Sequence, residues 1–226
     1  MNASEEYIRL EDRSDLALMK DVAAGRKDAF IVLLDRYLEL VSRTSFRIMC
    51  DRKDSEAVTE RVFVSMFKDI ESYDDRFTLG EWLLRKTCLF CRLRMVRRRT
   101  FRIFGAANDV FVQASPKVDD QDDYVTKQAW ELHCRATTHM TPLQGAAYAL
   151  CALEGISTAR VAHITGLTHF RIGHALHRAV EKEKEELRHY DRESDYDRYV
   201  IFLRKVAESL TDKEKLTESI MSQVSL

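Results

Sequence analysis

The capping and turn residues within residues 153–187 indicate two helices joined by a tight turn. Ser157 is of the residue type that caps helix N-termini, and Gly166 tolerates the positive φ with which a chain leaves a helix sharply. Thr168 can then cap a second helix, in which apolar residues recur at helical spacing. These apolar residues are Ile172, Ala175, Leu176, Ala179 and Val180. The stretch therefore predicts a helix-turn-helix.

In a DNA-binding helix-turn-helix, the second helix enters the major groove and turns polar side chains toward bases and phosphates. Ile172 and Leu176 must point inward, which leaves an outward set on the same helix. The candidate DNA-binding residues of this set are His169, Phe170, Arg171, His174 and Arg178. Taken alone, the stretch is also compatible with an ordinary helical hairpin, because short helical pairs are common in all-α proteins.

Only seven glycines and two prolines occur in the 226 residues, so an all-α fold class is the prediction for the chain. A hydrophobic content of 45% is enough to build apolar cores. No apolar run approaches the length of a bilayer span, and the N-terminal residues lack the pattern of a signal peptide. We therefore expect a cytoplasmic protein without membrane insertion.

The five cysteines are scattered, and their odd number fits a reducing compartment better than a disulfide framework. Cys88 and Cys91 form a lone CxxC pair within a predicted helix, without a second pair at zinc-ligand spacing. We interpret them as packing residues and expect neither a metal nor a cofactor. No Ser-His-Asp order, phosphate-binding glycine loop or pair of buried carboxylates is evident, so we expect no enzymatic activity.

Charge is unevenly distributed along the chain, although its net value is only −1. From Arg85 to Arg102 there are eight Lys or Arg and no acid, on a helix that is predicted to begin near Leu79. Like charges three and four positions apart repel each other, so an uncompensated cationic face predicts contact with an anion such as nucleic acid. A merely solvated face is the alternative. The candidate DNA-binding residues here are Arg92, Arg94, Arg97, Arg98 and Arg99.

Helical periods divide the chain into segments. Helices are predicted over residues 15–24, from residue 28 for about twenty residues, over 55–70 and from Leu79 to Arg99. Thr141 and Pro142 have the cap and first-turn pattern of a helix that continues through Leu153.

The same periods predict the domain organisation. A helical domain at residues 1–100 precedes an acidic segment at 101–124, which has neither helical nor strand periodicity and is interpreted as a linker. A helix-turn-helix domain follows at residues 125–190, and residues 191–226 form a C-terminal extension of two amphipathic helices. We expect the extension to pack against the second domain, where it would either complete the core or cover part of the recognition helix.

An ordered set of residues across both domains resembles the bacterial RNA polymerase sigma factors of the extracytoplasmic-function type, over about residues 15–99 and 125–187. In the first domain the set comprises Gly25, Asp28-Ala29-Phe30, Tyr37, Asp54, Glu56, Val62-Phe63, Tyr73, Phe77 and Trp82-Leu83, before an Arg-rich end. In the second domain it comprises Leu153, Ser157, Val161-Ala162, Gly166-Leu167, Ile172 and Leu176-His177-Arg178-Ala179.

The resemblance implies a sigma2-like domain that binds core RNA polymerase and melts the −10 element, and a sigma4-like domain that reads the −35 element. It assigns the polymerase contacts to Asp54, Glu56 and Glu60, which we expect on the exposed side of their helix. Apolar and aromatic side chains in the loop from Tyr73 to Leu79 would hold an unstacked base. The implied partners are core RNA polymerase, promoter DNA and an anti-sigma factor.

The sequence also departs from the family's pattern. Leu89 and Leu93 stand where the family usually has Asn and Asp, and Gly173 and Ala175 stand where its recognition helix usually has Lys and Arg. Ala57 replaces an acidic residue of the polymerase-binding helix. These departures leave an alternative, in which the chain is a sigma-like interaction protein without productive promoter activity that antagonises or restrains a true sigma factor.

Overall fold

The computed structural model describes residues 10–103, 121–190, 195–206 and 212–224, and all regular structure within these ranges is helical. In chain order the helices are α1 (Asp15–Ala23), α2 (Lys27–Met49), α3 (Arg52–Lys68), α4 (Leu79–Ile103), α5 (Gln121–Thr138), α6 (Pro142–Ala147), α7 (Thr158–Thr165), α8 (His169–Tyr190), α9 (Tyr196–Val206) and α10 (Lys213–Val224). The predicted all-α class is confirmed.

The helix-turn-helix is built by the predicted local signals. The Ser157 hydroxyl accepts from the amide of Arg160 at 3.3 Å and begins α7. Gly166 ends the helix with a φ of 70°, in the left-handed region that glycine enters without steric cost. The Thr168 hydroxyl then accepts from the amide of Arg171 at 3.4 Å and begins α8.

The helix at Thr141 has the predicted start and the predicted end at Leu153, but its second half is of a different helical type. Thr141 and Gln144 form a reciprocal capping box, in which each side chain accepts from the other residue's amide. The segment predicted to continue to Leu153 is helical, but Tyr148–Leu153 is a π-helix rather than an α-helix. A wider helical turn of this kind is rare, and it occurs mostly as a single-turn bulge within an α-helix, frequently at functional sites.

Several predicted boundaries are wrong by a few residues. Helix α3 begins at Arg52 rather than at residue 55, because the Asp51 side chain caps it by accepting from the amide of Asp54 at 2.8 Å. Helix α4 continues to Ile103 and α5 begins at Gln121, so both ends of the predicted linker at 101–124 are helical. Acidic residues are favoured in the first turn of a helix, so an acidic stretch does not by itself indicate a linker. The rest of this segment lies outside the described residues.

The first apolar core lies between α1, α2, α3 and α4, around side chains such as Phe30, Phe63 and Leu83. The second joins α5, α8 and α9 to the C-terminal end of α2, where the Phe46 and Trp130 rings stack with centroids 4.5 Å apart. A third core packs α7 and α8 on α4. The boundaries of the two domains stay a prediction, but helices from the two sides of the proposed linker share these cores.

The two helices of the C-terminal extension pack in different places. Helix α9 contributes Tyr199, Phe202 and Leu203 to the second core, as expected for the extension. Helix α10 does not follow it, because Leu216 and Ile220 join the first core instead. The prediction that the pair packs on the second domain is therefore wrong for α10. None of the helices described is long and apolar enough to span a membrane.

Candidate nucleic-acid and polymerase interfaces

The start of α8 presents an open surface. All of the candidate residues His169, Phe170, Arg171, His174 and Arg178 are exposed. The Phe170 side chain is 79% exposed, which is unusual for a large apolar residue and indicates a contact surface. Their inward neighbours Ile172 and Ala175 are buried, while Leu176 is only half-buried. The orientation of α8 therefore places the predicted DNA-reading side chains in solvent.

The cationic face of α4 is partly neutralised by α3. Arg94 lies 2.6 Å from the Asp54 carboxylate, and Arg98 reaches Asp51 at 2.9 Å. The expectation of an uncompensated face is therefore wrong for these two arginines. Arg92 and Arg97 are exposed, and the Arg99 side chain lies outside the described residues. DNA binding by this helix stays a prediction. Among its described arginines, Arg92 and Arg97 are the better candidates, because their side chains are exposed.

The acidic residues predicted to bind polymerase have different environments. Asp54 is only 4% exposed, so the prediction that it lies on the outer side of its helix is wrong. The physical reason is its role as counterion to arginines of α4. Glu56 is half-buried and pairs with Arg52 at 3.3 Å, one turn earlier. Glu60 is half-buried as well, and its carboxylate accepts hydrogen bonds from α10.

The helix-turn-helix covers the loop that was predicted to hold an unstacked base. Phe77 is buried, because the His163 ring of α7 packs on it with centroids 4.5 Å apart and the Arg85 guanidinium lies 5.4 Å from its centroid. Tyr73 packs edge-on against Trp82 at 5.6 Å. In this arrangement the aromatic side chains of the loop are engaged within the protein.

Polar contacts hold the helix-turn-helix against the first half of the chain. The Arg85 guanidinium donates to the Ile164 carbonyl at 3.0 Å. Glu81 forms an ion pair with Arg160 of α7. Burial opposes the charged form of Glu81, but hydrogen bonds from Thr78 and Arg160 outweigh it and lower the pKa of Glu81.

A second set of contacts lies where α2 meets the end of the π-helical segment. The Glu154 carboxylate lies 3.0 Å from Arg43 and 2.5 Å from Arg47. Arg47 is 3% exposed, and it also donates to the Arg204 carbonyl of α9 at 2.7 Å. A buried guanidinium needs such partners, because leaving it unpaired costs several kcal/mol.

Sequence reasoning missed a buried polar cluster at the centre of the second core. His133 Nδ1 lies 2.7 Å from Glu183 Oε1, and its Nε2 lies 3.0 Å from the Arg47 carbonyl. The Tyr199 hydroxyl donates to the other Glu183 oxygen at 2.5 Å. With the Glu183 carboxylate ionised, both ring nitrogens face acceptors, and the doubly protonated imidazolium satisfies both. The spacing of Glu183 from Ala179 and Leu187, four residues on either side, was the available signal, since it puts the acid on the buried stripe.

The electrostatics of this cluster agree with a charged pair. Burial opposes the imidazolium, but the neighbouring Glu183 carboxylate and the Cys50 sulfur together outweigh it and raise the pKa of His133 well above its usual value. Burial also raises the pKa of Glu183, although His133 opposes that effect. The ring's two acceptors favour the charged pair at neutral pH.

The CxxC pair lies on α4. Burial raises the pKa of the Cys88 thiol to about 12, and Cys91 is fully buried. Within the described part of the chain, no group of three or more His, Cys, Asp or Glu side chains is arranged to hold a metal ion.

The fold resembles solved structures of sigma factors, although no protein-family model matches the sequence and no curated protein matches it significantly. One similar structure is CnrH in complex with the cytosolic domain of CnrY, with 18% identity and a TM-score of 0.55, over 80% of this chain and 99% of that one. Another is the sigma factor RpoE in complex with the anti-sigma factor NepR from Bartonella quintana, with 18% identity and a TM-score of 0.52, over 70% of this chain and 96% of that one. The chain therefore has a sigma-factor fold.

Proposed function

We propose that this chain is a cytoplasmic transcription initiation factor that binds core RNA polymerase and contacts the −10 and −35 elements of promoter DNA. The observation that carries the proposal is the open surface at the start of α8, which combines cationic, imidazole and aromatic side chains on a sigma-factor fold. Arg171 is the best candidate for reading a base, because a guanidinium can bridge O6 and N7 of guanine.

The α4 arginines supply the proposed electrostatic attraction for DNA. Arg92 and Arg97 are exposed, and the neighbouring Arg94 and Arg98 are more buried and pair with α3. A phosphate contact by an exposed arginine releases counterions and makes the affinity depend on salt. Ion pairs with α3 hold the other two in fixed positions beside them.

We expect the double substitution Arg92→Ala and Arg97→Ala to weaken DNA binding and to flatten its salt dependence. If both side chains contact duplex phosphates, the slope of log affinity against log salt becomes shallower by about 1.8, or about 0.9 for each contact. Fluorescence anisotropy at several salt concentrations measures this slope. The matched control is Arg188→Ala with Arg198→Ala, both exposed residues of other helices. An unchanged slope in the α4 variant would rule out this surface.

A second candidate function is that of a sigma-like protein that antagonises a true sigma factor. The observation in its favour is that Asp54 and Glu60, two of the proposed polymerase contacts, already have partners within the chain. Transcription in vitro with core RNA polymerase separates the two functions. An initiation factor creates start sites of its own, whereas an antagonist only reduces those that depend on another sigma factor.

An anti-sigma factor is a further proposed partner. The solved complex of RpoE with the anti-sigma factor NepR supports it, because that sigma factor shares the present fold. The exposed stripe of Leu89, Leu93 and Val96 on α4 is a surface that a protein partner could cover.

A further inference from the structure

Helix α10 is seated on the helix that carries the proposed polymerase contacts. Its buried residues Leu216, Ile220 and Val224 recur at four-residue spacing and form one stripe that packs into the first core. Through this stripe α10 lies mainly against α3, with a smaller contact to α2. One face of α3 is therefore covered by a segment from the other end of the chain.

Polar contacts at the edge of the interface of α10 with α2 and α3 involve acidic residues. The Ser219 hydroxyl donates to Glu60 Oε1 at 2.5 Å, and the Gln223 amide donates to Glu60 Oε2 at 3.4 Å. The Lys213 ammonium lies 3.2 Å from Glu39 on α2. Two carboxylates and an apolar floor define a surface suited to a basic, amphipathic helix. Helix α10 contacts these two carboxylates through two neutral hydrogen-bond donors and one exposed ammonium group. It therefore neutralises only part of their negative charge.

Helix α10 is also suited to local opening. It has twelve residues, and an isolated helix of that length is marginal in water. Helix α9 packs separately, through Tyr199 and Leu203 in the second core. Release of α10 therefore leaves the packing of α9 unchanged. Elements of this kind open locally at a lower free energy than the whole fold.

We propose that α10 is an intramolecular occupant of the polymerase-binding face, and that core RNA polymerase must displace it before it can reach Glu60. This inference rests on the proposed function, since it takes core polymerase as the competing partner. Only molecules in which α10 has left this face can bind core polymerase through it. The apparent affinity for core polymerase therefore falls in proportion to the fraction of such molecules. The chain therefore carries a restraint on the polymerase-binding face of its first half.

The test compares two full-length variants that each add one carboxylate to α10. In Ile220→Asp the charge falls in the buried stripe and displaces the helix, whereas in Ser222→Asp it falls on the exposed side. The affinity of each for purified core RNA polymerase is measured by biolayer interferometry beside the wild type, and circular dichroism verifies the fold. A third variant, Ser219→Ala with Gln223→Ala, removes only the Glu60 contacts and keeps the apolar stripe.

We expect Ile220→Asp to bind core polymerase about tenfold more tightly than the wild type, and Ser222→Asp to match the wild type. If Ile220→Asp does not fold, the double alanine variant decides the question, with an expected gain of about threefold. Equal binding by the wild type and a folded Ile220→Asp variant, or by the double alanine variant where Ile220→Asp does not fold, overturns the inference and leaves the proposed function standing. If no form of the chain binds core polymerase, the proposed function fails and the inference fails with it.

Discussion

Replacing Glu183 with alanine is expected to lower the free energy of unfolding by about 3–5 kcal/mol. The substitution leaves the buried His133 ring beside an empty space and removes the acceptor of the Tyr199 hydroxyl. Urea denaturation followed by circular dichroism measures the loss. Glu185→Ala on the same helix is the control, because its side chain is exposed and is expected to change stability by less than about 0.5 kcal/mol. A loss below about 1 kcal/mol for Glu183→Ala would mean that the cluster is not a charged pair.

The same cluster gives stability a pH dependence of defined sign. The pKa of His133 is raised in the folded chain above its unfolded value of about 6.5. Its contribution to stability is therefore complete below about pH 6.5 and is lost as the pH rises through the raised value. Glu183→Gln removes the carboxylate that raises this pKa. We expect the stability difference between the wild type and Glu183→Gln to narrow as the pH rises from about 6.5, as measured by thermal unfolding at each pH.

Replacing Glu154 with alanine is expected to destabilise the protein by about 3 kcal/mol, because it removes a carboxylate that pairs with the buried Arg47 guanidinium. Urea denaturation measures the loss. Glu39→Ala is the matched control, since Glu39 also pairs with Arg43 but is largely exposed, and exposed pairs contribute about 0–1 kcal/mol. Equal effects of the two substitutions would contradict the assigned role of Glu154 as the counterion that joins α2 to the second half of the chain.

Sequence alone predicts those parts of the fold that depend on local signals. Ser157, Gly166 and Thr168 determine the helix-turn-helix through caps and a left-handed glycine, each within a few residues. The exposed face of α8 follows as well, since the period of a helix fixes which side chains share a face once Ile172 is buried. These features need no knowledge of the rest of the chain.

Long-range pairings are the part that sequence reasoning missed. Asp54 was expected on an exposed face, but it is buried in an ion pair with Arg94. Arg94 is forty residues away in the sequence, so no local signal indicates the pair. The spacing of Asp51 and Asp54 on one helix and of Arg94 and Arg98 on another was compatible with pairing, but it did not specify it. An apolar stripe likewise indicates that a helix is amphipathic, but not which surface it covers. For that reason α10 was assigned to the wrong half of the chain.

The arrangement of these parts bears on how the proposed initiation factor would be controlled. The helix-turn-helix packs on Phe77 and α4, and α10 packs on the face of α3 that holds Glu60. Of the proposed DNA and polymerase contacts that the structure describes, those at the start of α8 are all exposed. We therefore expect polymerase binding and promoter opening to require a rearrangement, whereas the α8 surface is available without one.

In vitro transcription tests most directly whether this chain directs core RNA polymerase to promoters. Core RNA polymerase is incubated with fragments of the genome that encodes the chain, with and without the purified protein, and the 5′ ends of the transcripts are mapped. We predict new start sites that appear only with the protein and that are lost with Arg171→Ala. If no new start site appears, and the protein instead reduces transcription directed by an added sigma factor, this role is contradicted and the chain is an antagonist.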